Sequence, residues 1–331
     1  MTKETLMPVL VCLGEILVDM FPAELGRPLA EVTAFRPKPG GAPANVAVAA
    51  ARLGTPSAFI GKVGADAFGS HLMAVMRSQG VDTRGMRVAE RERTTLAFIA
   101  KPDENTAEYV FYRNPGADLM LTAEELDVDL IQGARVLHFG SLSLVDDPIR
   151  HATMEAVYQA QQSEVLISFD VNYRPNLWRS PEEALRHIRD MVPLAHVLKV
   201  NETELQLLAG RDDLAEASIA LLAMGPELVV VTLGERGSYF RTAQMGEFVP
   251  AFGVKTVDAT GCGDAFTAGL LSRLATVVDW RLQLTADTLR KNIRFANAVG
   301  AITAMTEGVI PALPTMAQVE AFLEGRLIAQ I

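Results

Sequence analysis

Val257-Asp258-Ala259-Thr260-Gly261-Cys262-Gly263-Asp264-Ala265-Phe266 reads as a tight loop that runs into a helix. Two glycines flank a small residue, an aspartate follows, and an apolar run continues to Leu274 at helical spacing. The glycines permit positive φ and a close approach of backbone to ligand. The unpaired N–H groups of a first helical turn make an anion site. Asp264 at that mouth has two readings. One is an ordinary cap, the commoner role for a lone Asp before a helix; the other is a general base beside a bound phosphate. The stretch alone leaves both open.

The chain is 331 residues long, enough for one large domain with a lobe and a substantial core. Aromatics are few while Ala, Val and Leu are many, as expected of helices packed on a parallel sheet. A net charge of −10 argues against a nucleic-acid surface. An anionic ligand must then be held by local amides, a few basic groups or a metal. Cys12 and Cys262 lie in apolar or Gly-rich settings without ligand spacing, which fits a reduced cytoplasm. The apolar run Val9 to Leu13 is too short for a signal peptide, and none is long enough to span a bilayer, so a soluble protein is expected.

Pro8 to Gly14 reads as a buried strand and Ile16 to Phe21 as an alternating one that carries Asp19. Leu29 to Phe35 reads as a further short strand. Gly40-Gly41 then turns into an Ala-rich helix, Val46 to Leu53, with Asn45 in its first turn. Ser57 to Val63 is a strand and Ala67 to Gln79 a helix. Thr95 to Ala100 and Ala107 to Arg113, joined by Pro102-Asp103-Glu104-Asn105, read as a hairpin outside the main alternation. From residue 120 strands and helices alternate again: strands at Val136 to Phe139, Val165 to Asp170, His196 to Val200 and Leu228 to Leu233, with helices at Pro148 to Gln162, Pro181 to Met191 and from Glu202. A short hairpin follows Gly234 to Gly237, and helices at Thr288 to Thr303 and Met316 to Leu327 close the chain. Repeated β-α units of this length mean a parallel sheet with helices on both faces.

In such a sheet ligands bind beyond the carboxyl ends of the strands. Polar clusters stand at those ends: Asp170-Val171-Asn172-Tyr173-Arg174, Asn201-Glu202-Thr203-Glu204, and Thr232-Leu233-Gly234-Glu235-Arg236-Gly237. Each alone is more often a capped turn than a site; several at one sheet edge are hard to read as caps. There is no P-loop motif, no Gly-x-Gly-x-x-Gly after the first strand, and no zinc-type spacing. What remains is a Gly-rich helix mouth, an Asp at that mouth, and Asn201 with Glu204 on one face of a helical turn. Phosphoryl transfer needs those parts: amides for developing charge, a base for the attacking hydroxyl, and groups that organise Mg²⁺.

With these motifs quoted, the chain resembles the ribokinase-like (PfkB) sugar kinases over almost its whole length. Gly40-Gly41-Ala42-Pro43-Ala44-Asn45 matches their amino-terminal signature and Asp258-Ala259-Thr260-Gly261-Cys262-Gly263-Asp264 the carboxy-terminal one. Within the family Phe111-Tyr112-Arg113-Asn114-Pro115-Gly116-Ala117-Asp118, Phe139 to Leu144 and Ile310-Pro311-Ala312-Leu313-Pro314 are most similar to fructokinases. The resemblance implies a three-layer α/β/α sandwich with a mostly parallel sheet, a single domain over 1–331, and a small β-sheet lid from about 15–38 and 91–119 that also clasps a dimer.

It also implies roles. Asp264 would be the base, with Gly261, Cys262 and Gly263 the anion hole. Asp19, Gly40, Gly41, Asn45, Arg113 and Arg174 would bind the sugar. Thr232, Gly234, Gly237 and Asn297 would serve the nucleotide. Asn201 and Glu204 would arrange Mg²⁺, largely through water, and Asp258 with the Thr260 backbone a K⁺. Relatives often carry Ala at the position of Cys262, a change that backbone amides tolerate and that adds oxidation sensitivity. The activity implied is ATP-dependent phosphorylation of D-fructose to fructose 6-phosphate. A 2-keto-3-deoxygluconate kinase is the nearest alternative, since two arginines are available for a carboxylate. A retired, kinase-like binding protein would have lost the base or the Gly-Gly loop, and both are present.

Overall fold

The computed structural model describes residues 8–24, 26–100, 102 and 108–326. In chain order it forms β1 Leu10–Leu13, β2 Leu17–Pro22, β3 Phe35–Gly40, α1 Ala42–Arg52, β4 Ser57–Gly64, α2 Ala67–Ser78, β5 Met86–Ala89, β6 Leu96–Ala100 and β7 Glu108–Tyr112. The second half follows with α3 Val128–Gln132, β8 Val136–Gly140, α4 Ile149–Gln162, β9 Leu166–Asp170, α5 Pro181–Met191, β10 Val197–Asn201, α6 Glu202–Ala209, α7 Leu214–Leu222 and β11 Leu228–Thr232. β12 Gly237–Arg241, β13 Gly246–Pro250, α8 Cys262–Leu274, α9 Ala286–Ala304 and α10 Met316–Leu323 complete it.

Nine strands form one sheet in the order β13-β12-β11-β10-β9-β8-β1-β4-β5, parallel from β11 to β5 and antiparallel at β12 and β13. Alternate residues of each strand enter opposite cores. Leu10, Cys12, Leu228 and Val230 pack with α1, α8 and α9, while Val11, Leu13, Val229 and Val231 pack with α4 and α5. Burial of both faces explains why these strands are continuous apolar runs. The architecture is the α/β/α sandwich expected.

A second, four-stranded sheet has the order β3-β2-β6-β7. The expected strand at Leu29 to Phe35 is not formed. Leu29–Glu31 is a 3₁₀ turn, and the strand is Phe35–Gly40 instead. Its Pro37 and Pro39 remove ladder donors, which only an edge strand tolerates, and β3 is at the edge. The hairpin of β6 and β7 is antiparallel, with Leu96 opposite Tyr112. The turn read at Pro102 to Asn105 lies mostly outside the described residues, as do the expected strand start at Ala107 and the helix end at Leu327. β5, α3 and α7 were not expected from sequence; β5 and α3 carry too few residues to show a clear period.

Candidate active site

Strand ends and helix starts meet where the two sheets face each other. Asp170, Asn201 and Thr232 end three neighbouring strands, with Asn201 opposite Thr232 in the ladder. Gly41 caps α1 and Gly261 caps α8, neither with a side-chain cap. Between them lies a cleft of about 470 Å³ that the small sheet roofs with Leu17, Asp19, Ile99, Tyr109 and Phe111. Gly261 has φ +77°, and a Cβ there would lie 2.3 Å from Val309 Cγ1. Only glycine fits that turn.

Asp264 is the third residue of α8, and its Oδ2 accepts a 2.7 Å hydrogen bond from Asn45 Nδ2 in α1. The two Gly-rich stretches, 219 residues apart at this bond, therefore close on one point. Asp264 does not cap its helix; that place is taken by Gly261. Burial raises the carboxyl to about 6, against the lowering effect of the Asn45 bond and of the Lys199 and Arg174 charges. The first-turn amides of Gly263 and Asp264 have no intrahelical acceptor, whereas Cys262 N–H donates to Ala259 O at 3.3 Å. Burial, with the Asp258 and Asp264 charges, pushes the Cys262 thiol up to about 12.

Asp19 projects from β2 onto the backbone of Gly40. A Cβ at Gly40 would lie 1.9 Å from Asp19 Oδ2, so the carboxylate occupies the space a side chain would take. Burial first, then repulsion by Asp264 and Glu15, raises Asp19 to about 7. Arg174 lines the cleft and lowers both Asp19 and Asp264. Arg113 does not line this cleft. It is 7% exposed, its Nε donates to Asp118 Oδ2 at 2.8 Å, its Nη2 donates to Leu142 O, and its Nη1 has no partner among the described residues.

Asn201 and Glu204 form a reciprocal capping box on α6, with Asn201 Oδ1 accepting from Glu204 N and Glu204 Oε2 from Asn201 N, both at 2.8 Å. Glu204 Oε1 accepts from Tyr173 N at 2.7 Å. Both residues line the cleft. Asp258 binds the loop together: Oδ1 accepts from Thr260 N and Oγ1, and Oδ2 from Gly308 N. Thr232 reaches the cleft, while Gly234 and Gly237 hold the turn beyond β11 at φ +60° and +118°. Asn297 is buried and fully bonded, accepting from Ser238 Oγ and donating to Val249 O and Pro250 O. It ties α9 to β12 and β13.

The model of the pfkB family carbohydrate kinase matches residues 7–316. The chain belongs to this family. It is 42% identical over 319 residues to a probable fructokinase-2 of Arabidopsis thaliana, covering 96% of each chain. Among solved structures, a fructokinase of Xylella fastidiosa with bound ATP superposes at TM-score 0.88 with 34% identity, covering 96% of this chain and 98% of that one. A Vibrio cholerae O395 fructokinase in a form with fructose, ADP and calcium superposes at 0.87 with 34% identity, covering 96% and 99%.

Two charged residues of this carbohydrate kinase, Glu15 and Lys199, line the cleft without having been expected there from sequence, and so does Asn172, which was read only as part of the polar cluster 170–174. Glu15 Oε1 accepts from Ala42 N at 2.9 Å at the start of α1, and its buried Oε2 has no partner among the described residues. Burial raises its carboxyl to about 7, against Arg113. Asn172 sits at φ +37°, in the left-handed region that Asn tolerates better than most residues. Lys199 is a lysine inside an apolar strand, and its Nζ donates to both oxygens of Asp170, at 3.1 and 3.0 Å. Burial lowers its pKa, but the Asp170, Glu204 and Asp264 carboxylates outweigh that and hold it above its ordinary value. The available signal was a charged residue in a core strand opposite Asp170 in the neighbouring one.

Proposed function

We propose that this carbohydrate kinase transfers the γ-phosphoryl group of ATP to the 6-hydroxyl of D-fructose, giving fructose 6-phosphate. The observation that carries the reading is the 2.7 Å bond between Asn45 and Asp264, which joins the sugar-end loop to the anion-hole helix. Asp264 takes the hydroxyl proton while Asn45 fixes its carboxylate. The α8 amides face the charge that develops on phosphorus. Asp19, Gly40, Gly41, Asn45 and Arg174 hold the sugar. Thr232, Gly234 and Gly237 lie on the nucleotide side, where Asn297 holds the wall in place.

Mg²⁺ bound by ATP phosphates would neutralise their charge. No cluster of three or more His, Cys, Asp or Glu that would hold a metal exists among the described residues. Asn201 and Glu204, which line the cleft, would arrange that ion, largely through water. Asp258 and the Thr260 backbone would hold K⁺ beside the loop they already organise. The whole chain acts as one kinase domain, with the small sheet as lid and homodimer clasp. No helix among the described residues is long and apolar enough to cross a membrane. Two free cysteines, Cys12 buried and Cys262 partly so, suit the cytoplasm.

A neutral sugar is favoured over 2-keto-3-deoxygluconate by the charges in place. Glu15, Asp19, Glu204, Asp258 and Asp264 line the cleft against Arg174 and Lys199, and Lys199 is already paired with Asp170 as Arg113 is with Asp118. A coupled ADP-release assay with ATP across fructose, ribose and 2-keto-3-deoxygluconate tests the reading. Fructose is expected to give the highest kcat/KM. A higher value for the sugar acid would reverse the assignment.

A further inference from the structure

Lys38 stands in β3, at the edge of the four-stranded sheet, with Pro37 and Pro39 on either side. Neither proline has a backbone N–H, so a donor reaching out from this edge must come from a side chain. Lys38 supplies it. Its Nζ donates to Glu307 Oε1 at 2.7 Å, across 269 residues of sequence. Among the described residues this is the only ion pair made by a strand of that sheet. Lys38 is opposite Asp19 in the ladder of β2 and β3, so it leaves the same face as the Asp19 that lines the cleft. Its Nζ also lies 4.6 Å from the centre of the Phe21 ring.

Glu307 follows α9 in the turn that leads to Ile310–Ala312, and that turn packs on the anion-hole loop. Gly308 N donates to Asp258 Oδ2 at 3.1 Å, and Val309 occupies the space a Cβ would need at Gly261. Gly308 has φ +91°, and a Cβ there would lie 3.1 Å from Lys38 Nζ, so the lysine lies along the turn as well. The bond to Lys38 and its charge hold the Glu307 carboxyl below its ordinary value, so it is ionised at neutral pH. The pair is partly open to water, with side-chain exposures of 18% for Lys38 and 56% for Glu307. Such a pair adds little to overall stability and breaks at small cost.

We propose that Lys38 and Glu307 are positioning residues, a strap that fastens the edge of the small sheet to the anion-hole loop and so retains the sugar. This rests on the kinase reading above, with the small sheet as a lid over the cleft. Neither residue touches the reacting atoms. With the strap made, Asp19 and Gly40 on the sugar side are held in register with Val309 and Gly261 beside the α8 amides. With it broken, β3 lifts from the loop and the sugar enters or leaves. A fully buried pair would resist that opening.

Lys38→Met and Glu307→Gln are each expected to raise the KM for fructose about two- to five-fold, the range for a half-exposed pair, with a smaller change in kcat. Fructose should dissociate faster by a similar factor in stopped-flow traces, while the melting temperature stays near wild type. The two changes together should do no more than either alone, since the same bond is lost in each case. Lys38→Arg keeps the charge and should stay near wild type. Additive effects, or an unchanged KM, would leave an ordinary surface pair and overturn the proposal. Salt tests it in the unaltered protein. Raising ionic strength with tetramethylammonium chloride at fixed K⁺ should raise the wild-type KM for this neutral sugar and leave that of Lys38→Met unmoved. A wild-type KM that ignores salt overturns the strap as well. A wild type that fails to phosphorylate fructose at all would instead sink the underlying reading.

Discussion

Asp264 is held by a group that a helix cap would not need. Asn45 Nδ2 reaches it from another helix, and burial raises it to about 6. As a base it works only when ionised, so kcat/KM for fructose should rise with pH through about 6 and then level off. A profile that is flat from pH 5 to 8 would remove Asp264 from the proton transfer. Asp264→Asn should retain sugar and ATP binding while slowing turnover by about 10²–10⁴, the usual share of a general base. Turnover within a few-fold of wild type would reduce Asp264 to a structural residue. Arg113 has a comparable test. Asp118 Oδ2 takes its guanidinium, and Thr95 Oγ1 donates to Asp118 Oδ1 at 2.5 Å. Asp118→Asn leaves a buried cation unpaired, at a cost of about 3–5 kcal/mol in stability. The same change should move the ratio of kcat/KM for 2-keto-3-deoxygluconate over fructose upward. An unchanged ratio would mean that Arg113 never faces the substrate.

The four-stranded sheet shows how far strand reading goes before tertiary context decides. β6 and β7 were legible because Leu96 to Ala100 and Tyr109 to Tyr112 are rich in aromatic and β-branched residues. β3 was not, because Pro37 and Pro39 look like punctuation until the strand is known to lie at an edge. β7 is the opposite edge, and within Glu108–Tyr112 it has neither proline nor lysine to protect it. Tyr109, Val110 and Tyr112 are exposed there, and Phe35, Phe98 and Tyr112 form an edge-to-face aromatic row beside it. Such an edge invites a partner. Light scattering at micromolar protein should therefore give a dimer, and Val110→Lys should shift it to monomer. A wild-type monomer with full activity would remove the clasp.

Across the molecule, the legible parts of the site were those written in short local motifs: Gly40 to Asn45 and Asp258 to Asp264 each declare themselves within seven residues. Lys199 and Glu15 did not, since their meaning comes from partners brought by the sheet, Asp170 from the next strand and Ala42 from the start of α1. Gathering these groups has a thermodynamic consequence. Glu15 and Asp19 are raised to about 7 and Asp264 to about 6, chiefly by burial, from ordinary values near 4. Between those limits the native state holds more protons than the unfolded chain, so stability must fall as pH rises from about 4 to about 7 and the carboxylates ionise in place. These three groups work against the fold at the pH where the enzyme works, which is the usual conflict between site and scaffold. Asp19→Asn removes one of them. Its unfolding free energy should lie near wild type at about pH 4 and exceed it at pH 8, by an amount on the order of 1–3 kcal/mol, with a correspondingly higher melting temperature at pH 8. Equal melting at both pH values would show that Asp19 ionises in the folded protein as easily as in the unfolded chain.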